Sequence, residues 1–256
     1  MILIKNQAEG KISMEQNYLI EVRDVNKNYK GRKALKNISF DVGKGEVLGI
    51  IGPNGAGKTT LISLLATINK PESGKIHIFG EDILKNPEKV RANLGYVPQE
   101  TALYPMLTAY ENLDFWGGIY GVDNKLKKEK IDRTLQLLRL EDRKNDKVKT
   151  FSGGMKKRLN IAASLLHDPE LLIMDEPTAG VDILSRATIA ELVLELKKSG
   201  RTILITSHHI DELEHLCDRI LVLREGDLLY SGSVEEILRS TGNDDLEQLM
   251  LKLEEV

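Results

Sequence analysis

One cysteine, Cys217, is all the sequence contains, so an internal disulfide framework is excluded and the chain fits a reducing compartment. No run of 18 apolar residues occurs, so no membrane-spanning helix is expected. The N-terminus, MILIKNQAEGKISM, offers only four apolar residues before Lys5, too few for the core of a signal peptide. An excess of one charge is also missing: 36 Lys and Arg stand against 39 Asp and Glu, a formal net charge of -3. No global field draws such a chain onto nucleic acid or an anionic membrane, and no nucleic-acid partner is expected. The basic runs at 27–36 and 125–130 read as a solvated turn and an exposed helix face. Aromatics are scarce, at seven Tyr, four Phe and one Trp, which makes any clustering of them informative.

What is present is ordinary globular material. Over 256 residues, 41% hydrophobic and 29% charged composition suffices for a core, and the length suits one large α/β domain with a helical insertion. Residues 1–17 read as a flexible leader, with Met14 as an alternative start. Residues 18–25 alternate apolar and polar, as a half-buried strand does, and 35–42 read as another strand after a turn at 30–32. The run 47–51 is continuously apolar, the pattern of a strand buried on both faces. A turn at 71–74 leads to a short strand at 75–79. Helical signals dominate from 99 to 151, with Ile131, Leu135 and Leu138 on one face of the segment 125–140. Strand signals return at 171–174, 202–206 and 219–223, around a helix at 184–198 that Gly200 ends. Alternating strands and helices imply a largely parallel, helix-covered sheet. A last amphipathic helix is expected at 246–253, and Cys217, which follows Leu216 in a helical stretch, reads as a small core residue.

Three motifs carry chemistry. Gly52-Pro53-Asn54-Gly55-Ala56-Gly57-Lys58-Thr59 lies between a strand and a helix, the context a phosphate-binding loop requires. Glycines let the backbone wrap phosphate oxygens, Lys58 can reach the β- and γ-phosphates, and the Thr59 hydroxyl can ligate Mg²⁺. The second motif ends the strand Leu171-Leu172-Ile173-Met174 with Asp175 and Glu176, at the edge where α/β sheets bind ligands. Asp175 suits the Mg²⁺ sphere, often through water, and Glu176 can polarise an attacking water; an acidic helix cap is the competing reading. The third is Ser152-Gly153-Gly154 at the start of a helix at 156–166, either a plain Ser N-cap or a second anion site. Single residues complete the set. Gln99 can touch Mg²⁺ or the lytic water, His208 can reach the γ-phosphate, and Tyr29 can stack on adenine or fill the core as a strand aromatic. His209 reads as exposed and idle.

In this order Tyr29, Gly57-Lys58-Thr59-Thr60, Gln99, Ser152-Gly153-Gly154, Asp175-Glu176 and His208 resemble the nucleotide-binding domain of ATP-binding-cassette (ABC) transporters. Ala179-Gly180-Val181-Asp182 stands where that family has its D-loop, while Phe151 and Met155 replace its commonest Leu and Gln. The resemblance implies a P-loop NTPase α/β fold: a mainly parallel sheet core, an antiparallel β subdomain and an inserted α-helical subdomain. It places one ABC ATPase domain over 18–256, with the helical subdomain at about 100–155 and a C-terminal helix at about 243–254. It implies ATP and Mg²⁺ as ligands, with Asn54 to Thr60 around the phosphates and Thr59, Gln99 and Asp175 near the metal. It further implies a head-to-tail pair, with an identical or a paralogous ATPase, in which Ser152, Gly153 and Gly154 serve the partner's nucleotide.

The segment 102–121 holds five of the twelve aromatics, Tyr104, Tyr110, Phe115, Trp116 and Tyr120. By the resemblance, this region receives a short helix of a separate membrane permease subunit. Its wording and that of the tail from Asp245 resemble ATPases of ABC-2-type exporters, peripheral on the cytoplasmic face of the membrane. A soluble ABC ATPase of iron–sulfur cluster assembly is the rival reading. The length leaves no room for the paired domains of translation factors, and no coiled coil of a DNA-maintenance relative is present.

Overall fold

The computed structural model describes residues 18–29, 31–207 and 209–254. The expectations for the leader, for Lys30 in the first turn and for His208 fall outside the described residues. In chain order the elements are β1 (Tyr18–Tyr29), β2 (Arg32–Gly43), β3 (Val47–Ile51), α1 (Lys58–Leu65), β4 (Ser73–Ile78), β5 (Glu81–Asp82), α2 (Pro87–Arg91) and β6 (Leu94–Val97). Then follow α3 (Ala109–Ile119), α4 (Asn124–Leu137), α5 (Gly153–Leu165), β7 (Leu171–Asp175), α6 (Ile183–Lys198), β8 (Thr202–Thr206), α7 (Ile210–Leu216), β9 (Arg219–Arg224), β10 (Asp227–Gly232), α8 (Val234–Thr241) and α9 (Leu246–Glu254).

The strands form two sheets. A four-stranded antiparallel sheet has the order β2-β1-β4-β5. A six-stranded sheet has the order β10-β9-β3-β8-β7-β6, parallel except for β10. The apolar runs alternate between two cores, as a period of two requires. Leu48, Ile50, Leu171, Ile173, Leu204, Leu221 and Leu223 face α1 and the antiparallel sheet. Val47, Ile51, Leu172, Met174, Ile203, Ile205, Ile220 and Val222 face the other way, toward α3 to α6. Each of these strands is thus buried on both faces, which is why it reads as a continuous apolar run.

Several elements differ from their sequence reading. β1 continues to Tyr29 because a bulge at Asp24, with φ 52, shifts the inward phase from Ile20 and Val22 to Val25. β6 is four residues long and was not legible as a strand. β10 is a strand beyond those the sequence patterns predict, although the turn Glu225-Gly226, both at positive φ, is a hairpin signal. The short helices α2 and α8 are likewise beyond those patterns, whereas α7 ends at Leu216 with Cys217 as its C-cap, in the stretch that reads as helical. Ile131, Leu135 and Leu138 are fully buried, as their spacing predicts. α5 begins at Gly153, three residues earlier than expected, because the Ser152 hydroxyl caps it by accepting the Met155 N–H at 3.2 Å.

Candidate functional site

Parallel register assembles the site. Ile50 of β3 pairs with Thr206 of β8, and Thr206 pairs with Asp175 of β7, so three strands end at one edge. On the far side Val97 of β6 pairs with Met174, so the next residues, Pro98 and Gln99, run beside Asp175 and Glu176. Backbone topology therefore brings Gln99 to Glu176 across 77 residues, and the Gln99 Nε2 donates to Glu176 Oε2 at 2.7 Å.

The loop after β3 is shaped by close backbone approach. A Cβ at Gly52 would lie 2.2 Å from the Leu223 carbonyl oxygen. At Gly57, with φ +109, it would lie 2.6 Å from that of Ala34, so only glycine fits either position. Lys58, the first residue of α1, curls back to donate to the carbonyl oxygens of Gly52 at 2.6 Å and Pro53 at 3.2 Å. Burial pushes its ammonium below the ordinary lysine range, and the Glu176 and Asp175 carboxylates push back.

A cavity of about 410 Å³ opens over this loop, lined by Tyr29, Arg32, Ala34, Asn54, Gly55, Ala56, Gly57, Lys58, Thr59, Thr60, Gln99 and Glu176. Tyr29 is 44% exposed at its mouth, with the Lys27 ammonium 5.2 Å from the ring centroid, so it is not a core aromatic. Asp175 stands behind the lining, 2% exposed, and its Oδ1 accepts the Thr206 hydroxyl at 2.7 Å. Burial pushes the Asp175 carboxyl above the usual range, against the pull of that hydroxyl. Glu176 has φ 48, a left-handed backbone unusual for a side-chain-bearing residue. Its N–H is held by the Thr206 hydroxyl at 2.9 Å and the Thr206 carbonyl at 3.2 Å.

Ser152, Gly153 and Gly154 are not brought to this cavity. Gly153 lines a separate one of about 420 Å³, with Gln99, Glu100, Thr101, Lys156, Lys157, Ala179, Gly180 and Val181. Gly154 is fixed by the start of α6, where an added Cβ would meet Ser185 Oγ at 2.1 Å and Asp182 Oδ2 at 2.6 Å. His209 is half-buried rather than exposed, and its N–H donates to Ser207 Oγ at 2.9 Å.

Two contributors escaped the sequence reading. Thr206 ties Asp175 to Glu176, yet as the last residue of an apolar strand it carried no signal. Lys157 carried one. It lies on the core-facing stripe of α5 with Gly154 and Ile161, where a charge needs a partner. Among the described residues no cluster of three or more His, Cys, Asp or Glu is placed to hold a metal. The oxygens of Thr59, Gln99 and Asp175 are nevertheless a hard-cation donor set, suited to a Mg²⁺ that keeps water and substrate phosphate as its other ligands.

Comparison with known proteins agrees with this geometry. Residues 35–179 match the family model described as ABC transporter. The linearmycin resistance ATP-binding protein LnrL of Bacillus subtilis is 44% identical over 231 residues, 90% of this chain and 74% of that protein. The Nod factor export ATP-binding protein I of Cupriavidus metallidurans is 37% identical over 222 residues, 87% and 73% of the two chains. A solved ATP-binding subunit of an ABC transporter superposes with a TM-score of 0.83 at 32% identity, covering 92% of this chain and 99% of the other. The dimeric ATP-binding cassette MJ0796, in a post-hydrolysis state bound to ADP and Pi, gives 0.77 at 27% identity, covering 84% and 98%. With the loop, the paired carboxylates and the fold in agreement, the chain belongs to the ABC transporter family as one of its ATP-binding ATPases.

Proposed function

We propose that the chain is the ATP-hydrolysing subunit of an exporter, working as a head-to-tail pair bound to a separate membrane subunit on the cytoplasmic face. One observation carries the pairing. Gly153, at the Ser152 helix start, opens on a cavity distinct from the one over its own chain's phosphate loop, which supports a second copy as the one that meets a nucleotide on that loop. The dimeric arrangement of MJ0796 supports this, and the name of the Nod factor export protein supports the direction.

In this reading the loop amides and Lys58 bind the phosphates, and Tyr29 stacks on the base. Thr59, Gln99 and Asp175 would hold Mg²⁺, which would supply charge neutralisation for the phosphates. Glu176 accepts the proton of the attacking water, and Gln99, hydrogen-bonded to it, orients the same water. His208, outside the described residues, has the γ-phosphate as its role by the family resemblance alone. Ser152 and the N–H groups of Gly153 and Gly154 cap the partner's γ-phosphate.

The helices at about 100–155 form the docking subdomain, and the C-terminal helix expected at about 243–254 is α9, Leu246–Glu254. No described helix is long and apolar enough to cross a membrane. The aromatic segment divides in two. Tyr104 and Phe115 are exposed, with Met106 and Ile119 beside them in sequence, whereas Trp116 packs inward and donates to the Ala102 carbonyl at 3.0 Å. The exposed set is the docking surface for the membrane subunit. Affinity purification from solubilised membranes tests this: co-purification with a polytopic membrane protein supports it. Stable complexes with soluble cluster-assembly proteins, and never with membranes, would overturn it.

A further inference from the structure

Lys157 lies on α5, the helix that starts with Ser152-Gly153-Gly154, yet its ammonium reaches the catalytic edge. It is 9% exposed, and its Nζ donates to the carbonyl of Gln99 and, at 3.4 Å, to that of Glu176. Since Gln99 also donates to Glu176, the three residues touch pairwise in a closed ring. One turn on, Asn160 grips the same segment at both ends. It accepts the Ala102 N–H at 3.0 Å and donates to the Pro98 carbonyl at 3.4 Å.

We propose that Lys157 is a positioning residue for ATP hydrolysis, holding the carbonyls of Gln99 and Glu176 so that their side chains stay in register for the attacking water. The inference rests on the roles given to Gln99 and Glu176 above. Glu176 has a left-handed backbone fixed at its N–H by Thr206, and Lys157 fixes the carbonyl at its other end. Burial pushes the Lys157 ammonium below the ordinary lysine range, and the Glu176 and Asp175 carboxylates push back. A buried ammonium with two carbonyl acceptors from chain segments so far apart acts as a strut between them. Because Lys157 is on the helix that presents Ser152, a displacement of that helix start would be felt within the same chain at Gln99 and Glu176.

The test compares wild type, Lys157→Met, Lys157→Arg, Gln99→Ala and the Gln99→Ala/Lys157→Met double variant in the full chain. Steady-state ATP hydrolysis, binding of a fluorescent ATP analogue and thermal melting are measured for each. Misplacement of the pair predicts that Lys157→Met lowers kcat by about 10- to 100-fold. KM and analogue affinity should stay within about twofold, the signature of an interaction used only in the transition state. Arginine, which keeps the donors, should restore most of kcat. The double variant should lose less than the product of the two single losses, since the effects overlap on one unit. An unchanged kcat in Lys157→Met would overturn the proposal. So would a parallel fall of analogue affinity and melting temperature, an arginine variant no better than methionine, or multiplicative effects in the double variant. A wild type that binds the analogue without hydrolysing ATP would instead overturn the ATPase roles, and this inference with them.

Discussion

Asp175 and Thr206 end adjacent parallel strands, and the Thr206 hydroxyl that donates to the Asp175 carboxylate at 2.7 Å also accepts the Glu176 N–H at 2.9 Å. One hydroxyl thus orients one carboxylate and anchors the backbone of the next. Both its hydrogen-bonding roles are satisfied inside a site where an unpaired polar group would be costly.

Asp175→Asn should stabilise the fold while impairing the enzyme. Burial raises the folded-state pKa of this carboxyl, so its ionised form opposes folding. That opposition is absent below the unfolded-state pKa, grows as pH rises toward the folded-state value, and is complete above it. The variant should therefore melt above wild type at neutral pH, with the gap closing on acidification. Its Mg-ATP turnover should fall by roughly 10-fold or more. Differential scanning calorimetry between neutral and acid pH, with ATPase assays, checks both halves.

Lys58→Ala should lower kcat/KM for Mg-ATP by at least roughly 10²-fold, the cost of removing one preorganised donor from developing charge. The same change frees the Gly52 and Pro53 carbonyls that Lys58 holds, so the loop loses its internal tether as well. A folded variant with wild-type ATPase activity would contradict the phosphate-loop assignment.

Glu176→Gln should slow hydrolysis by roughly 10²-fold or more, because an amide accepts no proton. Its oxygen can still take the Gln99 hydrogen bond, so the pocket keeps its shape. With ATP the variant should sediment at twice the monomer mass. A monomer at high protein concentration would count against capping by Ser152 in trans.

Phe115→Asp should abolish association with the membrane subunit and leave the ATPase of the isolated protein intact. Burying a charge on an apolar docking surface costs on the order of several kcal/mol. Trp116→Asp should behave differently. It removes the hydrogen bond to Ala102 and the inward packing of that ring, and so should also lower the melting temperature. Equal behaviour of the two variants would show that the exposed rings are not the distinguishing surface.

Cys217 should resist alkylation in the native protein. Burial pushes its thiol up to about 12, so almost no thiolate exists near neutral pH. Iodoacetamide should label it only when denaturant is added, as mass spectrometry of the intact chain would report.

Much of the site was legible along the chain. The phosphate loop has its strand before it and its helix after it, and each piece is encoded by residues within a few positions. The strands β3 and β8 have the ends that their apolar runs predict, because a doubly buried strand leaves no polar interruption. β6 was hidden because Leu94-Gly95-Tyr96-Val97 is too short to show a period and Gly95 gives no side chain to read. At Gly95 an added Cβ would lie 2.6 Å from the Ser164 carbonyl, so helix packing rather than strand propensity requires the glycine.

The sequence by itself determined which candidate groups are present: the glycines and Lys58 of the loop, the carboxylates of Asp175 and Glu176, and the Ser152 helix start. Those are local patterns, fixed by turn geometry and neighbouring side chains. Only the tertiary structure decided how they meet. Pairing of Val97 with Met174 set Gln99 against Glu176, and pairing of Asp175 with Thr206 set the hydroxyl between the Asp175 carboxylate and the Glu176 N–H. Packing of α5 sent Lys157 inward while turning Gly153 toward a different cavity from the loop. Strand register and helix packing are properties of segments distant in sequence, and no short-range period records them.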